Sequence, residues 1–306
     1  MNSMELSNYL EKVRLGRKVT QEEFVFGIVS LRQYQRYRSG ESEIPYEKLE
    51  KFAEKLGIPS RKLLNEFEKE KNEQASRLNR FYSAVVTRDR PTVERMIKEF
   101  RHDFIIDEEK KVFYKHSIIL DKLFQGQLSW ETAARRTSDL INYPAILKQQ
   151  YFTDVEVLVM SSLLEFEQTP KRQTLLNRLS DLFEAGEGIM SGGTDLIYYL
   201  ILMRLSKSHG KQRNYDKVIS FCDMGINRGM KTKNYYLWDY FFYYKALAYH
   251  ALEDYEQFEH NLFRCFSVLR MEANQHKLDM FTAWIEKDFG VSLSNFAIQY
   301  LKKEIS

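Results

Sequence analysis

VTQEEFVFGIVSLRQYQRYRSG, residues 19–40, reads as a helix, a sharp turn and a second helix. Thr20 is a good N-cap hydroxyl, and Glu23 three residues later completes a capping box ahead of the apolar Phe24 and Val25. Gly27 breaks that short helix, because glycine turns sharply without a Cβ penalty. Ser30 supplies a second N-cap, and the next helix covers 31–38 until Ser39 and Gly40 stop it. On this helix Tyr34 and Tyr37, with Leu31 beside them, form a side that can pack inward. The other side shows Arg32, Gln33, Gln35, Arg36 and Arg38. The forked donors and acceptors of arginine and glutamine match guanine and adenine edges in a major groove. A short polar and basic helix, propped at a fixed angle by a capped partner, is how a helix-turn-helix meets DNA.

The net charge of the 306 residues is only +3, so any nucleic-acid contact must come from local clustering. That clustering exists. Over 14–38 the bases Arg14, Arg17, Lys18, Arg32, Arg36 and Arg38 face only Glu22 and Glu23. A plain solvated helix face is the alternative reading of the same run. Upstream, 4–15 is an amphipathic helix with Leu6, Tyr9, Leu10 and Val13 inward, after which Arg14, Arg17 and Lys18 are placed to touch phosphate. Downstream, Pro45 opens a helix where its missing N–H costs nothing, with Leu49, Phe52, Ala53 and Leu56 as inner stripe. Gly57-Ile58-Pro59 ends it, and Ser60 caps a fifth helix carrying Leu63, Leu64 and Phe67. Residues 1–68 therefore make a small helical domain.

Hydrophobic content of 43% with 29% charge excludes a disordered or membrane-spanning chain, and five prolines with 13 glycines favour helices over a β-rich fold. The longest apolar run, 196–203, is too short for a bilayer, and 1–8 lacks a secretory leader, so a cytoplasmic protein is expected. Cys222 and Cys265, 43 residues apart, match no metal or redox spacing and read as reduced core residues. The histidines His102, His116, His209, His250, His260 and His276 form no metal-binding pair. The glycines at 185–193 follow no strand and lack the lysine of a phosphate loop; they read as a joint before a helix capped by Thr194. With no nucleophile motif either, neither enzymatic activity nor a metal or cofactor is expected.

The charged stretch EFEKEKNEQ, 66–74, marks a connector at 69–76, either a helical spacer or a hinge. From residue 75 onward no strand alternation is sustained. Apolar stripes at helical spacing alternate with breakers at 89–91, 126, 142–144, 169–170, 186–193, 210, 214 and 225–229. Ten or more helices joined by short turns form a bundle or a solenoid. Segments starting at Tyr215 and Tyr255 lie 40 residues apart. Around the second, Phe242, Ala246, Tyr249, Tyr255, Leu262 and Cys265 fall where tetratricopeptide repeats place bulky and small packing residues. Around the first, Leu202, Leu205, Ser206, Val218, Cys222 and Gly225 do so less well. The period exceeds the usual value of about 34, so the repeats are degenerate.

The stretch TQEEF, the glycine turn, the helix ending Tyr37-Arg38-Ser39-Gly40 and the following IPYEKLEKFAEKLGIPSRKLL resemble the XRE/lambda-repressor-like helix-turn-helix domain. In that resemblance Gln21 and the exposed face of 30–36 correspond to DNA-reading positions. The candidate DNA contacts are thus Lys18, Gln21, Ser30, Arg32, Gln33, Gln35, Arg36 and Arg38. These domains carry an acidic residue two positions before the terminal glycine, where this chain has Arg38, so its salt-bridge pattern must differ.

With the repeat-like helices of 77–306 behind that head, the chain resembles the RRNPP superfamily of Gram-positive regulators, of the Rgg, PlcR and PrgX types. The resemblance implies an all-α homodimeric transcription factor on a two-fold double-stranded DNA operator, controlled by a short signalling peptide bound in the C-terminal tetratricopeptide-like solenoid. The groove-facing positions would be Met203, Arg204, Lys207, Tyr240, Tyr243, Tyr244, Leu247 and His250, with Arg204 or Lys207 taking a peptide carboxylate. Packing between helices is an equal alternative for each aromatic. Two further readings stay open: a DNA-binding regulator whose repeats bind a protein or only their own copy, and a scaffold whose head is an interaction module.

Overall fold

The computed structural model describes residues 3–101, 105–189 and 195–305, and among these it has sixteen α-helices and one short 3-10 helix. Among the described residues there is no strand, only one isolated bridge between Phe152 and Ile189. His102, the end of the glycine-rich joint at 190–193 and the Thr194 cap lie outside the described residues. The chain divides into two compact units, Met1–Arg136 and Thr137–Ser306.

In the first unit, α1 (Ser3–Gly16), α2 (Gln21–Val25), α3 (Leu31–Ser39), α4 (Tyr46–Lys55) and the start of α5 (Ser60–Val86) surround one apolar core. At its centre Phe24 stacks on Phe52 at 4.8 Å and meets Tyr34 edge-on at 5.6 Å. The prolines act one step earlier than the sequence suggests. Pro45 and Pro59 are the N-caps of α4 and α5, and Ser60 is already helical. An extended proline leaves its carbonyl free for the first turn, and Pro45 O accepts from the Lys48 and Leu49 N–H groups. Leu31 is exposed rather than packed beside Tyr34 and Tyr37. Helical side chains lean toward the N-terminus, so at the first position of α3 it covers the preceding turn instead of the core.

The 27 residues of α5 run through 69–76 without a break, so the charged connector is helix. Its charges tie it to α1: Lys71 lies 2.6 Å from Glu5 and Glu70 2.8 Å from Lys12. Further along, the Gln74 side chain accepts from the Ile106 N–H at 3.1 Å. The helices α6 (Arg90–Arg101) and α7 (Glu108–Phe124) pack on α5, and α8 (Trp130–Leu140) spans the division between the units.

The second unit holds α9 (Asp154–Leu163), α10 (Arg172–Ala185), α11 (Asp195–Lys211), α12 (Tyr215–Thr232), α13 (Trp238–Ala251), α14 (Tyr255–Glu272), α15 (Gln275–Phe289) and α16 (Leu293–Ile305). The 40-residue period is real here. Both α12 and α14 start at the expected tyrosine and span 18 residues. Asn214 and Asp254 cap them through their side chains, each preceded by a residue with positive φ, Arg213 and Glu253. Of the repeat positions, Leu202, Leu205, Ser206, Val218 and Cys222 are buried, as are Phe242, Ala246, Leu262 and Cys265, whereas Tyr255 is exposed.

Gly210, Gly225 and Gly229 lie inside helices instead of breaking them. At Gly225 and Gly229 the reason is close approach. A Cβ on Gly225 would stand 2.5 Å from the Phe241 ring, and one on Gly229 2.4 Å from Trp238 Nε1. Both cysteines are free and buried, and burial pushes the Cys222 thiol up to about 12. Among the described residues no helix is long and apolar enough to cross a membrane.

Gly225→Ala should therefore destabilise the second unit by about 1–3 kcal/mol, because the Phe241 ring has to move. Gly16→Ala, with nothing within 4 Å of the new methyl, should change stability by less than about 0.5 kcal/mol. Denaturant melts of the two variants against the parent chain measure the contrast.

Candidate nucleic-acid interface and cavity

Local hydrogen bonds build the helix-turn-helix as its sequence reads. The Thr20 hydroxyl accepts from the Glu23 N–H at 3.2 Å, and the Glu23 carboxylate accepts from the Thr20 N–H at 2.8 Å. Gly27 turns at φ +76°, Ser30 Oγ accepts from the Gln33 N–H at 3.1 Å, and Gly40 closes α3 at φ +78°. Tyr34 and Tyr37 hold the inner side of α3.

On the outer side Lys18, Ser30, Arg32, Gln35 and Arg36 are exposed, while Gln21, Gln33 and Arg38 are half-buried. Gln33 donates to Ser42 Oγ at 2.9 Å, and Arg36 stands 3.6 Å from Glu41. An exposed pair at that distance holds little energy, so Arg36 is free to exchange Glu41 for another acceptor. Ser30 uses its oxygen as a cap but keeps its hydroxyl proton. Arg14 is different. It is buried, donates to Glu11 and to the Val19 carbonyl, and so belongs to the interior rather than to a phosphate-facing surface.

A buried acid on α1 joins these helices. Glu11, 5% exposed, accepts from Arg14 Nε at 3.0 Å, Gln21 Nε2 at 2.8 Å and Tyr34 Oη at 3.0 Å. Burial alone would push its carboxyl up. Hydrogen bonds from Arg14, Gln21 and Tyr34 outweigh that and hold it at about 2. The Tyr34 phenol is pushed far up by burial and by the Glu11 charge. Gln21 also accepts from Gln35 Nε2 at 3.1 Å, which extends the network onto the outer side of α3. Glu11 escaped the sequence reading. The signal available was its place three residues before Arg14, the spacing of an ion pair along one helix face.

In the second unit a cavity of about 420 Å³ collects Lys207 of α11 with Tyr244, Leu247 and His250 of α13. Lys211, Tyr215, Asp288 and Phe289, not among the expected groove residues, also line it. The other four expected groove residues lie elsewhere. Arg204 is buried and donates to Ser161 Oγ at 3.0 Å and to the Leu158 carbonyl, so it pins α11 to α9. Tyr243 is buried, donates to Asp288 and packs against Phe281 and Trp284 of α15. Tyr240 meets Phe281 at 4.9 Å, and Met203 is half-buried. The face of α13 bearing Tyr240 and Tyr243 is thus covered by α15, a contact the repeat pattern did not disclose. Lys207 already pairs with Glu165 at 2.5 Å; burial pushes that carboxyl up, and Lys207 together with the Arg204 and Lys211 charges more than reverses it.

No family model and no curated protein matches the chain. Solved structures do. ComR from S. thermophilus, in complex with DNA and its signalling peptide ComS, superposes with a TM-score of 0.55 at 16% identity, covering 94% of this chain and 100% of that one. This chain has the ComR fold. The competence regulator ComR from Streptococcus vestibularis, with its cognate signalling peptide XIP, gives a TM-score of 0.53 at 17% identity, over 92% of this chain and 98% of that one.

Glu11→Ala should cost the first unit about 3–5 kcal/mol, because Arg14 and Tyr34 are left buried without their acceptor. The folded carboxyl titrates below its ordinary 4.5, so its stabilising contribution is whole above that pH and disappears as pH falls toward about 2. Urea melts between neutral pH and pH 3 should show the parent losing stability in that window and Glu11→Ala losing less.

Proposed function

We propose that the chain is a sequence-specific DNA-binding transcriptional regulator of the RRNPP type, homodimeric and cytoplasmic, controlled by a short signalling peptide. The observation that carries this reading is the outward edge of α3. Arg32, Gln35 and Arg36 are exposed on a helix whose inner side is locked by Tyr34 and Tyr37. Those side chains offer the donors and acceptors that read guanine and adenine, and Lys18 and Ser30 flank them for phosphate. One such helix contacts too few bases for useful specificity, which favours two heads on a two-fold operator.

In this reading residues 1–68 are the DNA-binding head, 69–76 the connector along α5, and the repeats from 77 onward the sensing and dimerising body. The cavity beside Lys207, Tyr244, Leu247 and His250 is the peptide site, with a volume in the range of about 300–1,000 Å³ found for ligand pockets. ComR of the same fold, which has been solved with DNA and a peptide together, supports the pairing of the two activities.

Gel shifts and footprints of the full chain on DNA upstream of its own gene, with and without short peptides encoded nearby, test the proposal. Arg32→Ala and Arg36→Ala should each weaken operator binding by about 1–3 kcal/mol with unchanged thermal stability. Unchanged operator affinity in both would remove α3 from the interface.

Leu247→Arg, which puts a long charged side chain into the cavity, should abolish the peptide response while leaving peptide-independent DNA affinity as it was. Calorimetric peptide titration of this variant against the parent reads the effect. Equal peptide affinity would place the ligand elsewhere.

A further inference from the structure

Gln35 does not stand alone on the outer side of α3. Its Nε2 donates to Gln21 Oε1 at 3.1 Å, and Gln21 Nε2 donates to Glu11 Oε1 at 2.8 Å. This row of three side chains has a fixed direction. An ionised carboxylate only accepts, so Gln21 can turn nothing but its NH2 toward Glu11. Its carbonyl oxygen must then face Gln35, and Gln35 must answer with its own NH2. What Gln35 keeps for a ligand is one N–H and its carbonyl oxygen. That is one donor beside one acceptor, the complement of the N7 and N6 groups of adenine. Guanine shows two acceptors in the major groove, and the Gln35 oxygen would meet one of them with no proton between. If both amides flipped, Gln35 would present two N–H groups and suit guanine instead. Only the charge on Glu11 forbids the flip.

We infer that Glu11 is a positioning residue for base recognition: acting through Gln21, it holds the Gln35 carboxamide in the orientation that selects adenine over guanine. The inference rests on α3 being the recognition helix. Glu11 itself is buried on α1 and touches no base. The same carboxylate anchors Arg14 and Tyr34, so a structural role and a selective one need separating. Gln21→Met separates them, because it removes the relay and leaves the Glu11 bonds to Arg14 and Tyr34 in place.

The test is selection from a pool of randomised DNA duplexes by the full chain, with and without the peptides encoded beside its gene. Parent, Gln35→Ala, Gln21→Met and Glu11→Gln are compared. The parent should enrich adenine at one position of each half-site, and Gln35→Ala should lose that preference. Gln21→Met and Glu11→Gln should lower the adenine-over-guanine ratio there roughly tenfold, the scale of one bidentate base contact. The base preferences at the positions read by arginine should stay unchanged, which a merely loosened head would not give. An adenine preference that survives Gln21→Met undiminished overturns the inference, whatever Glu11→Gln does to folding. So does a parent whose selected sites are indifferent to Gln35→Ala. A parent that enriches no sequence at all brings down the DNA-binding reading itself, and this inference with it.

Discussion

A carboxylate taken out of water destabilises a fold unless every lone pair it turns inward meets a donor, and Glu11 shows that condition met. A guanidinium, a carboxamide and a phenol from α1, α2 and α3 converge on its two oxygens. The apolar contacts of Phe24, Tyr34 and Phe52 supply the bulk of the attraction, but they are tolerant of small rotations. Hydrogen bonds to one buried charge are not. The carboxylate therefore converts a generally apolar contact among three short helices into one defined tilt of α3. A helix of nine residues cannot hold its own orientation by propensity alone. The acid could have stood on α3 itself. Placing it on α1 leaves position 38, near the end of α3, free for a basic residue.

The second constraint is the continuity of α5. A helix that passes through the charged stretch without a break, and is held to α1 by Glu5–Lys71 and Lys12–Glu70, gives the head no pivot at 69–76. Coupling between a ligand and DNA affinity requires two arrangements with different affinities for each. Within the first unit those arrangements cannot arise from bending at the connector. Under the proposed reading a second arrangement would carry α5 and residues 1–68 as one body.

Much of this was legible in the sequence because the signals were local. Thr20 with Glu23, Gly27, Ser30 and Gly40 act within a few residues of themselves, and each did what its type dictates. The starts of α12 and α14 were equally local, fixed by Asn214 and Asp254. What stayed hidden depended on residues far away in sequence. Arg14 looks like a surface cation until Glu11 and the Val19 carbonyl enclose it. Gly225 and Gly229 look like breakers until Phe241 and Trp238 press against them. Tyr240 and Tyr243 look like groove lining until α15 arrives over them. Helical periodicity names a face but not the neighbour that covers it, and α13, apolar nearly all round, has several faces to choose among.

The cavity follows from the same small residues that let the helices approach. Ser206, Gly210, Ala248 and Ala251 are too short to fill the space between α11 and α13, so Tyr244, Leu247 and Phe289 wall a depression instead of a closed core. Two of its charged groups are already paired within the chain, Lys207 with Glu165 and Asp288 with Tyr243, while Lys211 is exposed. Neither Lys207 nor Asp288 is left as an uncompensated ion. A ligand that enters must either displace one of these pairs or rely on the apolar wall for its affinity. The first route changes a contact that holds a helix, Glu165 after α9 to α11 or Asp288 of α15 to α13, and the second does not. Only a ligand of the first kind alters how the helices are held, and so only that kind can do more than occupy the site.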